Sequence, residues 1–413
     1  MQRKIVSDPQ NREAVAALLA EVRRDGDAAL RRLSARFDGF TPDTFELKPE
    51  DFTAAEQALP EALKAAIEQA YANIYRFHER QVEPVEIVET MPGIRCYRKS
   101  VAIGKVGLYI PGGTAPLFST VLMLGIPAQI AGCKEVILCS PPDKNGALHS
   151  AILYAAQLCG IRRVFRLGGV QAIGAMAYGT ESVPAVWKIF GPGNPWVTSA
   201  KQLVSLEGVA VDLPAGPSEV AILADESANP DFIAADLLSQ AEHGADSQVL
   251  FVTNAPTLLD AVKEALARQL ADLPRREFAA EALENSQFLL APDLETGMNW
   301  CNDYAAEHLI LHLRDAEYWA EKVENAGSVF IGAYSPESAG DYASGTNHTL
   351  PTAGYARAYS GVSVDSFVKK ITFQQLSPAG LAALAPTIST MARAEGLEAH
   401  ARAVELRQSG LEV

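Results

Sequence analysis

From Asn11 to about Ala70, apolar residues recur every third or fourth position (Val15, Leu18, Leu19 and Val22, then Leu30 and Leu33) among good helix formers, which predicts a helical opening. The pattern changes between Ile94 and Ile222. Short β-branched runs at Val106–Ile110, Val136–Cys139, Val164–Leu167, Val186–Phe190 and Val209–Leu213 alternate there with Ala- and Gly-rich helical stretches. Strands separated by helices imply a parallel sheet, because parallel neighbours need a crossover between them. A second set of strands is predicted at Val220–Leu223, Gln248–Val252, Leu309–Leu313 and Ser328–Ile331. Pro- and Gly-rich breaks at Ile110-Pro111-Gly112-Gly113 and Leu213-Pro214-Ala215-Gly216-Pro217 bracket the first set, as crossings between two lobes would. Beyond Lys370 the text turns helical again, from Pro378 to Leu384 and from Pro386 to Gln408, without sequence repeats or low-complexity tracts.

A chain of 413 residues can bury more than one core, so two or more domains are expected. Lys and Arg number 35 against 50 Asp and Glu, and the net charge of −15 repels nucleic acid and anionic membranes. Five cysteines (Cys96, Cys133, Cys139, Cys159, Cys301), an odd number without CxxC spacing, read as reduced thiols and make a poor thiolate zinc site. Charges break the first 27 residues before a signal-length apolar core forms, and no run is long enough to span lipid, so the cytoplasm is the expected address.

Candidate chemistry gathers in three polar islands. Asn229 to Gln248 reads as a helix with Asn229 as N-cap, Pro230 at the first position, Asp231 in the first turn and Gly244 at the stop. Gln240 and His243 then lie three apart on one face of its last turn, able to grip one cation or ligand, although a solvent-facing Gln-x-x-His looks the same. Asn302 to His308 ends in Glu307-His308, directly before an apolar strand. Neighbours in regular structure point apart, so both serve one substrate only where the backbone is irregular. Imidazole titrates near neutral pH and suits a base, and a carboxylate beside it can position water. Gly340 to His348 is a loop-like text that brings Asp341 and His348 inward, or closes an ordinary Asx-turn. In the tail, Glu395 and His400 lie five apart, about 140° on a continuous helix, and share a site only if Gly396 interrupts it. For phosphates, Gly168-Gly169 follows a strand and opens a helix, and Gly191-Pro192-Gly193-Asn194 follows a strand with glycines that let a backbone approach a ligand closely; each reads as a cofactor loop or a tight turn.

Together these motifs resemble the histidinol dehydrogenase family. The resemblance runs through VGLYIPGGTAPLFSTVLM from Val106, KIFGPGNPWVTSAK from Lys188, DLPAGPSEV from Asp212, LLSQAEHGADSQ from Leu237, EHL from Glu307, SPESAGDYASGTNHTLPT from Ser335 and AEGLEAHARA from Ala394. It implies an α/β fold of two Rossmann-like lobes with mostly parallel sheets, plus small helical terminal segments in an intertwined homodimer. Its domains fall at 1–15 (N-terminal segment), 16–109 with 219–365 (substrate and zinc lobe), 110–218 (NAD lobe) and 366–413 (a tail completing the partner's site). By position, the family's zinc ligands are Gln240, His243, Asp341 and His400. The same four, with Ser218, His308, His348 and Glu395, match substrate-contacting positions, and Tyr109, Gln171 and Asn194 match NAD contacts.

The implied reaction converts L-histidinol to L-histidine through L-histidinal, with His308 as base, Glu307 activating water and two NAD-dependent hydride transfers. Ala306 stands where the family often has proline. Other readings of the same residues are a relative oxidising another alcohol, a zinc hydrolase using the Glu-His pair, and a metal-stapled dimer without catalysis.

Overall fold

The computed structural model describes residues 9–112, 116–213 and 216–409. Gly113 in the first predicted break, Pro214 and Ala215 in the second, and residues 1–8 of the N-terminal segment lie outside the described residues. In chain order the strands are β1 (Ile87–Met91), β2 (Ile94–Ala102), β3 (Lys105–Tyr109), β4 (Glu135–Ser140), β5 (Arg163–Arg166), β6 (Lys188–Phe190) and β7 (Ala210–Val211). Then come β8 (Glu219–Ala224), β9 (Gln248–Thr253), β10 (Gln287–Leu290), β11 (His308–His312), β12 (Ser328–Ile331) and β13 (Val368–Leu376).

Two compact units divide the chain: one runs to Gln81 and resumes over Ile103–Phe367, the other comprises Val82–Ala102 and the chain from Val368. The larger unit holds two five-stranded parallel sheets, ordered β5-β4-β3-β6-β7 and β10-β9-β8-β11-β12. In each, the order reverses beside the first strand, which makes the two sheets topological copies of one doubly wound plan. The expected α/β fold with parallel sheets is therefore what forms.

Burial on both faces explains the near-continuous apolar text of the central strands. Successive side chains of a strand point to opposite faces, so Val106 and Leu108 join one core with the helices Glu61–Glu79 and Phe118–Ala131. Tyr109, Ile137 and Cys139 join the other, with Pro9–Asp25 and Gly169–Tyr178. The second sheet divides in the same way, Val220 and Ile222 facing one core, Ala221 and Leu223 the other.

Two boundaries differ from the sequence reading. Strand β3, assigned to the substrate lobe, is the centre of the first sheet, because Pro111-Gly112 follows the carboxyl end of a central strand instead of separating lobes. The helices from Pro9 to Glu79 likewise pack against helices of that first sheet. The second unit is a three-stranded antiparallel sheet, β1-β2-β13, followed by the helices Pro378–Ala394 and Glu398–Ser409. The stretch read as helix beyond Lys370 thus begins as a strand, and Pro386 sits inside a helix instead of starting one. Gly396, at φ +75°, breaks the two helices apart.

Candidate active site

Asn229 caps its helix as its side chain predicts, accepting the Asp231 N–H at 2.9 Å, and the helix runs Pro230–Ala241. It ends before His243, whose N–H turns back to the Gln240 carbonyl at 3.3 Å. Gln240 is buried and His243 exposed. Facing them, the short helix Glu337–Tyr342 carries Glu337 and Asp341 four apart, hence on one face. Ligand atoms of His243, Glu337 and Asp341 all lie within 4.8 Å of one another. The Gln240 amide, with its nitrogen turned inward, donates to both Glu337 carboxylate oxygens. Asp236, one turn before Gln240, accepts the Glu337 N–H and ties the two helices together; burial pushes its carboxyl up to about 7.

The adjacent pair Glu307-His308 reaches the same place by the irregularity its spacing demands. Helix Leu294–Tyr304 stops at Ala305, a non-glycine residue at φ +52°, and β11 begins only at His308. A Cβ on Gly327 would lie 2.5 Å from the Glu307 carbonyl oxygen, so only glycine lets the neighbouring chain pass. Both side chains are fixed by one residue. The Glu219 N–H donates to Glu307 Oε2 at 2.9 Å, and the Glu219 carbonyl lies 3.3 Å from His308 Nδ1. His308 Nε2 faces Asp341 Oδ1 at 3.3 Å.

Burial pushes the Glu307 carboxyl up to about 7. Burial also disfavours charge on His308, but Glu337, Glu307 and Asp341 outweigh it and hold the imidazole at about 10. Glu337, fully enclosed, is raised well above the usual carboxylate range, chiefly by desolvation. Asp341 moves down, because its hydrogen bond to His308 and the surrounding imidazoles overcome its own burial. Beside that ring, His243, Glu337 and Asp341 offer a donor set of nitrogen and oxygen suited to a divalent ion.

His348 has both ring nitrogens engaged, Nδ1 with the Asp341 carbonyl at 2.8 Å and Nε2 with the Thr120 hydroxyl at 3.1 Å. Ser218 is half-buried, its carbonyl accepting the Gln248 N–H. Glu395 and His400 are exposed in the second unit, on either side of the Gly396 break. At the first sheet, Tyr109 closes β3 and is buried, its hydroxyl accepting the Gly169 N–H at 3.1 Å. Gln171, also buried, donates to Asp38 at 3.3 Å. Asn194 caps the helix Pro195–Leu206, accepting from the N–H groups of Trp196 and Val197.

Sequence reasoning missed Glu337, Glu219 and Asp236. Only Glu337 left a trace, its four-residue spacing to Asp341. The two sheets also differ in which end they use. Tyr109 and Asn194 stand at the carboxyl ends of β3 and β6, where the strand order reverses and doubly wound sheets bind ligands. Glu219 and His308 stand at the amino ends of β8 and β11, where the backbone of one strand can brace two neighbours on the next.

Two doubly wound sheets with a buried Glu-His pair beside an acidic nitrogen-and-oxygen cluster define an α/β protein with a candidate metal-assisted active site. The sequence model of the histidinol dehydrogenase family matches residues 1–408. A histidinol dehydrogenase from Bacteroides thetaiotaomicron is 57% identical over 399 residues, 97% of this chain and 93% of that protein. The crystal structure of histidinol dehydrogenase from Elizabethkingia anophelis superposes with a TM-score of 0.98 at 48% identity, covering 100% of this chain and 95% of that one. An NAD-dependent aldehyde dehydrogenase from Sinorhizobium meliloti, 14% identical with a TM-score of 0.51 over 88% of this chain and 87% of its own, shares the fold alone. The chain belongs to the histidinol dehydrogenase family, and it is a dehydrogenase of histidine biosynthesis. The hydrolase and non-catalytic readings of the site fall with that assignment. No helix among the described residues is long and apolar enough to cross a membrane.

Proposed function

We propose that the enzyme oxidises L-histidinol to L-histidine through L-histidinal in two NAD-dependent steps, with one zinc ion per subunit. The observation that carries this reading is the double bracing of Glu307 and His308 by Glu219, with Asp341 alongside. Zinc needs N and O donors about 2.0–2.2 Å from the ion, and the grouping of His243, Glu337 and Asp341 within 4.8 Å fits that demand. Gln240, His243, Asp341 and the partner's His400 would hold it in a homodimer with shared sites. The crevice between β3 and β6, with Asn194 at a helix N-terminus, suits a dinucleotide; Tyr109 and Gln171, already hydrogen-bonded within the protein, would form its floor.

Bound zinc supplies positive charge that orients the amino alcohol and offsets the carboxylates around His308, and bound NAD supplies the acceptor for each hydride. His308 keeps Nδ1–H on the Glu219 carbonyl; with Asp341 engaged by the metal, Nε2 would give up its hydrogen bond to Asp341 and accept the hydroxyl proton. Glu307, poised near neutrality, takes a proton from water as the aldehyde is hydrated, and the acid follows from the second oxidation. Ser218, His348 and the partner's Glu395 complete the substrate pocket, His348 by fixing the Asp341 backbone.

Absorbance of reduced nicotinamide tests the reading. Two NADH should form per histidinol consumed. Glu307→Gln should slow the second oxidation by about 10²–10⁴, the usual worth of a positioned base, and shift early product to one NADH. No NADH with histidinol, but turnover of another alcohol, would refute the substrate.

A further inference from the structure

The loop after β6 is held by an ion pair that the reaction does not use. Lys201, on the helix Pro195–Leu206, pairs with Asp212 just after β7, and their side chains are only 9% and 2% exposed. Together they take both backbone polar groups of one residue: Gly191 N–H donates to Asp212 Oδ2 at 2.7 Å, and Lys201 Nζ donates to the Gly191 carbonyl at 2.8 Å. Gly191 has no alternative. Its φ is +125°, and a Cβ there would lie 1.9 Å from the Tyr109 carbonyl oxygen, so the ends of β3 and β6 touch backbone to backbone where the strand order reverses.

A buried ion pair rarely stabilises a fold more than a packed apolar pair would, because both charges lose their water. Here the pair fixes the first residue of the segment that ends in Asn194. The segment folds back on its own helix, where a Cβ on Gly193 would meet Val197 at 2.3 Å and the Thr198 hydroxyl reaches the Gly193 carbonyl.

We infer that Lys201 and Asp212 are positioning residues for the dinucleotide: by pinning Gly191 they set the floor of the β3–β6 crevice and the place of Asn194. This rests on the NAD reading above. The pair acts through the backbone and touches no reacting atom, so its loss raises the KM for NAD and leaves the KM for histidinol and the zinc content unchanged.

Calorimetric titration of NAD into the zinc-loaded enzyme tests it, comparing wild type with Asp212→Asn and the double variant Lys201→Met/Asp212→Asn. The variants should bind NAD at least tenfold more weakly, with saturating NAD restoring most of kcat. NAD affinity within twofold of wild type in a folded variant overturns the clamp and leaves the NAD reading intact. Absence of NAD binding by wild type overturns that reading and the clamp with it. If neither variant folds, hydrogen exchange on the wild-type enzyme decides: the Gly191 amide should be protected before NAD is added, and rapid exchange there refutes a preset floor.

Discussion

Replacing Glu337 by Gln should be nearly silent in the metal-free enzyme and damaging in the zinc-loaded one. Glu337 and Asp341 place oxygens within 4.8 Å of each other. Two unit charges at that distance repel by about 3.5 kcal/mol at an effective dielectric of about 20. Burial, with that repulsion added, keeps a proton on Glu337 against the pull of His308 when no metal is bound. A neutral amide then replaces a neutral acid of equal size, and stability should change by no more than roughly 1 kcal/mol. With zinc bound the carboxylate ionises, and its charge and its hold on Gln240 should be worth about 10–100-fold in metal affinity. The pH dependence has a definite sign. Glu337's folded pKa is raised, so its contribution is fully present below the ordinary carboxylate range and is lost as pH rises through the higher folded value. Chelated wild type should therefore lose stability as pH rises, and more steeply than the Gln variant, which keeps only the shares of Glu307 and Asp236. Thermal melts across pH, with chelator and with titrated zinc, read both effects. Equal destabilisation with and without zinc, or unchanged zinc affinity, would refute the reasoning.

Mixing inactive His243→Ala and His400→Ala proteins under conditions that exchange subunits should restore about a quarter of wild-type activity, because half the dimers are mixed and each holds one intact site; no recovery would place His400 outside a shared site. Asn347→Ala strips a donor from the Met123 carbonyl and from buried His78 and an acceptor from the Thr349 N–H, and should lower stability in urea by at least about 1–3 kcal/mol. Ile222→Ala, in a central strand buried on both faces, should cost about 2–5 kcal/mol by the same assay without changing zinc affinity.

Much of the fold was legible because local spacing is what encodes it. Nine of the strands lie where short β-branched runs predict them, and Asn229 caps its helix as its residue type requires. The misses have a common cause. Strand β10 and the hairpin of β1 and β2 are mostly half-buried or exposed, and their apolar residues (Phe288-Leu289-Leu290, Ile87-Val88) form short runs without the alternation of a half-buried strand, while β13 was hidden by its polar residues next to helical ones. The break at Pro111-Gly112 marks the end of a strand and not the edge of a lobe, a distinction that depends on which strands pair.

By itself the sequence determined the elements, the helix caps, the short-range pairs and, through its motifs, the family. Tertiary structure decided which distant residues meet. That Glu219 braces both members of the Glu-His pair, that Glu337 enters the cluster of His243 and Asp341, and that Gly191 lies under Tyr109 all follow from strand register and helix packing. Spacing along a chain fixes which side chains share one element's face; only the packing of elements brings faces together, and burial then sets the charges that chemistry uses.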